Sequence, residues 1–574
     1  MAKTLYKADF SDKLPLGGIA TGHIDFCNNG SVLCNFLPHF AIKAEKEGQL
    51  TDARILQSTS LAGSDAPYFE KSEAFSHFPF AEIILSDPSF PADVKMSAFS
   101  PFIPLNDTDS GIPAVSFTFE ITNRCSERLD FSVACHSQNT SESPYNRMGC
   151  TDTGEAYVFL SSDTELSSNF CISTNGKNVS FCEYTESFAD FWKNFTENTT
   201  LYNKTKSCVS SSFAGSALST HFSLGENEST KVSFCISWYN SENAFSRNYY
   251  AQYFESSLEC CSYLSRQMER LLGKSLEFSS TVFSSTLPGN ALEEVNRDLF
   301  SLIGKDLSRL DDGTLVTEEK EAFTGLSQFI SRQSSLSNLF PALDYSKTLH
   351  FYKSGLYENA KQEELLLAIL SSYRKFLLSG DTDALIEDWY YVAKCLEKLY
   401  GENAEIECPA DDFLQNSAIE AVCVMAEAVK DKKRLELYSE KLLACPLVQF
   451  SMDISYGFAK LYEYQGFGYS AKDSSISFNP LSDTCPLDDV GTFKCFFCTP
   501  QGFGYVEEGI DYIEINLLSG KLGIRSFGVP RTPRLVQYGG RNWRFENKNL
   551  ICVLDSELEV TPQKKLTIFI DIKQ

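Results

Sequence analysis

The chain has 574 residues, 43% hydrophobic and 13% aromatic, which is too long for one ordinary core and too apolar for disorder. Its net charge of −26 and pI near 4.7 repel polyanions and anionic lipid surfaces and argue against a nucleic-acid partner. The opening "MAKTLYKADFSDKLPLGG" has no apolar signal-peptide core, and no apolar run reaches the ~20 residues of a membrane helix, so a cytoplasmic protein without a transmembrane segment is expected.

From residue 1 to about 285 the text reads as strands. "FSPFIPLNDTDSGIPAVSFTFEIT" (99–122) joins a proline-rich loop to a strand in which Val115, Phe117, Phe119 and Ile121 alternate with polar residues. After the polar break "NRCSERLD", Phe131, Val133 and Cys135 alternate again, and the two runs are expected to form a hairpin. A similar run is "KVSFCISWY", and many short strands without intervening helices point to a β-sandwich. Near residue 250 the period changes, and "YYAQYFESSLECCSYLSRQMERLLGKSLEF" reads as a linking helix.

Residues 290 to 465 read as helices. In "KQEELLLAILSSYRKFLLSGD", Leu366, Leu370, Tyr373 and Leu377 share one face and Gly380 is the stop. Asp381 caps the next helix, which ends at Gly401, and so short a loop makes the pair antiparallel. "FLQNSAIEAVCVMAEAVKD" and "KRLELYSEKLLAC" make a second pair. Strands return from 475 to the end. Ile513, Ile515 and Leu517 alternate before an "SGK" turn, and Leu566, Ile568, Ile570 and Ile572 close the chain.

Nineteen cysteines scattered over so long a chain read as reduced thiols. Cys495 and Cys498 form a single Cys-x-x-Cys without a second pair or nearby histidines, so no metal is expected there, and no cofactor anywhere. The Asn-x-Ser/Thr triplets at Asn194 and Asn198 carry no meaning without secretion.

Several stretches, in one order, carry a resemblance. They are "LPLGGIATGHI" (14–24), "AFSPFIPLNDTDSGIPAVSFTFEITN", "FWKNFTENTTLYN", "WYNSENAFSRNYYAQYF", "STLPGNALEEVNRDL", "RLDDGTL", "YRKFLLSGD", "QGFGYSAKDSSISFNP" and "FKCFFCTPQGFGYVEEG". Together they resemble glycoside hydrolase family 116, the non-lysosomal glucosylceramidase or bile-acid β-glucosidase family. The resemblance implies a multi-domain β plus α fold. An N-terminal β-sandwich with its linker helix (1–285) would pack on an (α/α)6-type barrel (286–470), with a C-terminal β-rich segment (471–574) against the rest. Residues 290–465 hold only about seven helices of ordinary length, so the barrel is expected to be truncated. Residues 99–111 would then be an ordered loop at the barrel's mouth, with Pro101 and Pro104 restricting the backbone and Phe99 and Phe102 offering rings to bury.

The chemistry implied is retaining hydrolysis of a β-glucoside or glycolipid-like substrate by two carboxyl groups about 5–5.5 Å apart. The family's nucleophile motif falls on Glu319 in "LDDGTLVTEEKEAF", with Glu318 and Glu321 as neighbours, although a solvated turn would read the same. Leu339-Phe340-Pro341 is kept downstream, whereas the family's polar sugar-binding residues in this stretch are not. The acid/base would come from Asp411 or Asp412 in "YGENAEIECPADDFLQN", and either could instead cap the following helix. Two functions therefore stand open: a β-glucosidase-like hydrolase, and a catalytically degenerate relative serving as a carbohydrate-binding or assembly module. An incomplete helix ring also leaves apolar faces that a second subunit could cover in a homo-oligomer.

Overall fold

The computed structural model describes residues 7–10, 12–141, 143–162, 167–206, 214–243, 246–303, 307–317, 339–401, 413–444, 466–480 and 491–572. Strand Ala114–Asn123 shows how the first half forms. Its alternation sends Val115, Phe117, Phe119 and Ile121 into the core, and it pairs antiparallel with Ala92–Phe99 on one side and Ser229–Asn240 on the other. These strands lie in a nine-stranded sheet, which faces a five-stranded sheet. Phe40 of the smaller sheet meets Phe117, Phe119 and Phe234 of the larger at 4.7–5.7 Å between ring centres, so the two layers close one aromatic core.

The expected hairpin between residues 115–121 and 131–135 does not form. Strand Leu129–Asn139 pairs with His39–Lys46 and Ala214–Leu224 in the five-stranded sheet, while Ala114–Asn123 stays in the nine-stranded one. Alternation fixes which face a strand buries and says nothing about its partner. Here both apolar faces look at the same core from opposite layers, and the polar loop between them crosses the sandwich.

Helix α1 (Phe188–Glu197) packs its Phe191 and Phe195 on the outside of the five-stranded sheet. The linking helix is two helices, α2 (Ser257–Arg266) and α3 (Met268–Phe283), followed by α4 (Gly289–Ser301). Ser256 opens α2 by accepting the Glu259 backbone N–H, an N-cap of the ordinary kind. Beyond them lie α5 (Pro341–Lys353), α6 (Gln362–Ser379), α7 (Thr382–Tyr400), α8 (Phe413–Ala428) and α9 (Lys432–Ala444). Gly380 ends α6 in the left-handed conformation (φ 65°), and the Asp381 carboxylate caps α7 by accepting from the N–H groups of Asp383 and Ala384. Leu366, Leu370 and Tyr373 pack as expected, but the stripe is wider: Leu365, Ile369 and Phe376 are buried as well, because α6 touches both α7 and α8. No helix among the described residues is long and apolar enough to cross a membrane.

The C-terminal strands form a five-stranded and a six-stranded sheet. Ile513, Ile515 and Leu517 are buried, as are Leu566, Ile568 and Ile570; the strand stops there, and Ile572 is exposed. This region joins the body of the protein. Phe496 meets Phe278 of α3 edge-on at 5.4 Å, and Thr286 N–H donates to the Lys494 carbonyl at 2.9 Å. Cys495 and Cys498 lie buried in strand Phe493–Thr499, and no cysteine among the described residues forms a disulfide.

Candidate functional site

The proline-rich loop after Phe99 is the piece around which the site is built. Phe99 stacks on Phe80 at 5.5 Å, and Phe102 packs among Phe78, Phe278 and Phe340 at 4.6–5.5 Å, joining the sandwich, α3 and the entry to α5. Asp109 fixes the loop's far end. Its buried carboxylate accepts from Tyr263 Oη (2.8 Å), Asn106 Nδ2 (2.7 Å) and both Arg270 terminal nitrogens (2.7 and 3.1 Å). Burial alone would raise the Asp109 pKa, but the Arg270 and Tyr263 donors outweigh it and hold the carboxyl below the ordinary aspartate range. Ile19 N–H bonds the Ser110 carbonyl at 2.8 Å, and a Cβ at Gly18 would lie 2.6–2.7 Å from the backbone of Gly111 and Ile112. The second glycine of the "LGG" in the first quoted stretch is therefore at a contact that only glycine permits.

Between this loop, α5, α6 and the turn at Pro500 lies a cleft of about 450 Å³. Leu105, Phe340, Leu343 and Leu378 give it an apolar lining, and its polar side chains are Asp107, Tyr345, Lys375 and Ser379. Asp107 pairs with Arg309 at 2.6 Å, and the Arg309 guanidinium lies 3.5 Å from the centre of the Tyr249 ring, whose hydroxyl bonds that of Tyr253 at 2.9 Å. Arg309 also donates to the Gly313 carbonyl at 3.2 Å, tying the pair to the Asp312-Gly313-Thr314 turn. Within that turn the Asp312 carboxylate accepts the Thr314 N–H at 2.9 Å. Burial works against the Asp312 anion, yet the Thr314 donors prevail and lower its pKa.

On the opposite wall the Lys375 ammonium sits 4.1 Å from the Tyr345 ring centre and pairs with the buried Asp388 carboxylate of α7 at 2.8 Å. Burial, then the Asp388 charge, pushes the Tyr345 phenol well up, so it stays protonated near neutral pH. The cleft thus offers an apolar floor with ring faces, a carboxylate backed by Arg309 on one side, and an ammonium and a phenol on the other. Such a set binds and orients hydroxyl groups.

Glu319, Asp411 and Asp412 all lie outside the described residues. The described flanks of the Glu319 stretch come to this cleft: Leu315 N–H donates to Ser346 of α5 at 3.0 Å, and Leu105 N–H donates to the Leu339 carbonyl at 3.0 Å. Sequence reasoning missed Asp107, Tyr249, Arg309, Lys375 and Asp388 as site residues. The first four lie inside quoted stretches, "PLNDTDSG", "NYYAQYF", "RLDDGTL" and "YRKFLLSGD". For Asp107, Arg309 and Lys375, a charged residue inside a stretch that carries the family resemblance was the available signal.

Comparison with known proteins matches residues 14–271 to the family described as "beta-glucosidase 2, glycosyl-hydrolase family 116 N-term". No curated protein matches the chain. Among solved structures, a protein provisionally assigned as a kojibiose phosphorylase from the human microbiome is similar with a TM-score of 0.38 at 9% identity, covering 97% of this chain and 99% of that one. A protein provisionally assigned as an aldose 1-epimerase from Escherichia coli has a TM-score of 0.24 at 10% identity, over 40% of this chain and 99% of its own. Likenesses this low say nothing about activity.

Proposed function

We propose, from the premise that this chain belongs through its N-terminal domain to glycosyl-hydrolase family 116, that it acts on β-linked glucosides by a retaining mechanism. Glu319 is the nucleophile in this reading and Asp411 or Asp412 the acid/base. Helices α5 to α9 are a shortened (α/α)6-type ring, residues 1–285, 286–470 and 471–574 are the three domains, and the Asp107–Lys375 cleft receives the sugar. The observation that carries the reading is that the cleft lies where the described ends of the Glu319 stretch are anchored, at Leu315 and Leu339.

In the reaction the Glu319 carboxylate attacks the anomeric carbon while the acid/base protonates the leaving oxygen, and the same group then deprotonates the water that releases the sugar. Asp107, oriented by Arg309, and Lys375 are suited to hold sugar hydroxyls, and the Tyr345 ring to cover an apolar sugar face. The degenerate reading has its own support: among the described residues Asp107 is the cleft's one lining carboxylate, and Arg309 engages it. Incubation with an aryl β-glucoside, following the released phenol and the anomer of the glucose, separates the two. Release of β-glucose is expected, and the absence of any turnover would favour the binding module.

A further inference from the structure

The larger sheet carries a second groove, which shares no lining residue with the cleft and lies on the face turned away from the sandwich core. It crosses five adjacent strands of the nine-stranded sheet: Phe80–Ser86, Ala92–Phe99, Ala114–Asn123, Ser229–Asn240 and Ser168–Thr174. The alternation that buries Phe117 and Phe119 must turn Ser116, Thr118 and Glu120 outward. Register then sets Thr118 between Ser97 and Ser233, and Glu120 between Lys95 and Lys231. The result is a floor of side-chain hydroxyls, with Thr118 Oγ1 and Ser233 Oγ 2.9 Å apart.

One wall of this groove is apolar. Met268, Leu272 and Leu276 stand four residues apart on α3, and Leu276 is 42% exposed. The groove measures about 640 Å³, inside the ~300–1,000 Å³ range of small-molecule sites. Two polar side chains close its edge, Ser173, which is 1% exposed and beside Cys261, and Glu155, beside Ser265.

The charges select the ligand class. Lys95 pairs with Glu82 at 2.9 Å, and Lys231 with Glu120 at 3.4 Å. Neither lysine is left to hold an anion, in a chain of net charge −26. Hydroxyls that both donate and accept, beside an apolar wall, suit a neutral polyol with apolar ring faces. We propose that this outer-face groove is a second binding site, for a neutral oligosaccharide, formed by Ser97, Thr118, Ser233 and Ser173 with Leu272 and Leu276 against the sugar faces. Occupancy of this site does not depend on hydrolysis in the cleft.

The test is calorimetric titration of the full chain with cellotetraose, laminaritetraose, maltotetraose and chitotetraose. Three variants are compared with the parent: Thr118→Val, Leu276→Ala and, in the cleft, Asp107→Asn. Leu276 is exposed, so its variant reports on the groove even if Thr118→Val unfolds. At least one tetrasaccharide is expected to bind the groove, with that affinity about tenfold weaker in Leu276→Ala and in folded Thr118→Val, and with groove binding retained in Asp107→Asn, which weakens only what the cleft holds. Absence of binding by all four sugars, or affinity that falls only in the Asp107 variant, would overturn the proposal. Affinity unchanged in every variant would overturn it too.

Discussion

Asp109 shows how one buried side chain can set a whole loop. It accepts hydrogen bonds from Asn106 in its own loop, Tyr263 on α2 and Arg270 on α3, so removing it leaves three donors without their partner. Asp109→Ala should cost about 2–3 kcal/mol, less than a fully buried ion pair costs to break because Arg270 is 43% exposed. Because its folded pKa is depressed, Asp109 contributes fully above the ordinary aspartate value near about 3.9, and that contribution is lost as the pH falls through the lower folded value. Denaturation followed from pH 6 downward should therefore show the gap between the parent and Asp109→Asn closing in acid. A gap that stays constant would mean that the charge is not what anchors the loop.

The same residue marks the reach of sequence reading. That the loop is ordered could be inferred from Pro101, Pro104 and its two phenylalanines. Tyr263 and Arg270, the partners of Asp109 more than 150 positions away, leave no local period to read. Asp107 with Arg309, and Lys375 with Asp388, are hidden for the same reason, since charge pairing across elements is a property of the fold.

At the scale of elements, periodicity was readable and connectivity was not. The alternation of residues 115–121 and 131–135 gave the buried faces correctly, while the pairing went to different sheets. The α6–α7 junction was fully legible, because a left-handed glycine and a capping aspartate are local devices. Gly380 has a further role: a Cβ there would stand 3.0 Å from the Lys472 backbone nitrogen, where the C-terminal segment meets α6. Gly380→Ala should destabilise by about 1–2 kcal/mol from the left-handed backbone alone, measured by urea denaturation. Phe102→Ala, which empties the centre of the Phe78, Phe278 and Phe340 cluster, should cost about 3–5 kcal/mol. Little change in either midpoint would contradict the packing described.

At the scale of the whole molecule, one hydrophobic core runs from the sandwich through α3 and α4 into the C-terminal sheets, so the ends of the chain should unfold together. Thiol titration in denaturant should find all nineteen cysteines reduced, Cys495 and Cys498 included, with no zinc released; cross-linked pairs or stoichiometric zinc would overturn this. The central claim is that the chain performs retaining hydrolysis through Glu319. The most direct measurement is mass spectrometry of the protein treated with a 2-deoxy-2-fluoro-β-glucoside bearing a good leaving group, followed by peptide mapping. Such a reagent forms the glycosyl-enzyme and releases it slowly, so the account predicts one added fluoroglucosyl group, carried on Glu319 and absent from Glu319→Gln. A protein that stays unlabelled, or that carries the sugar on another residue, would contradict it.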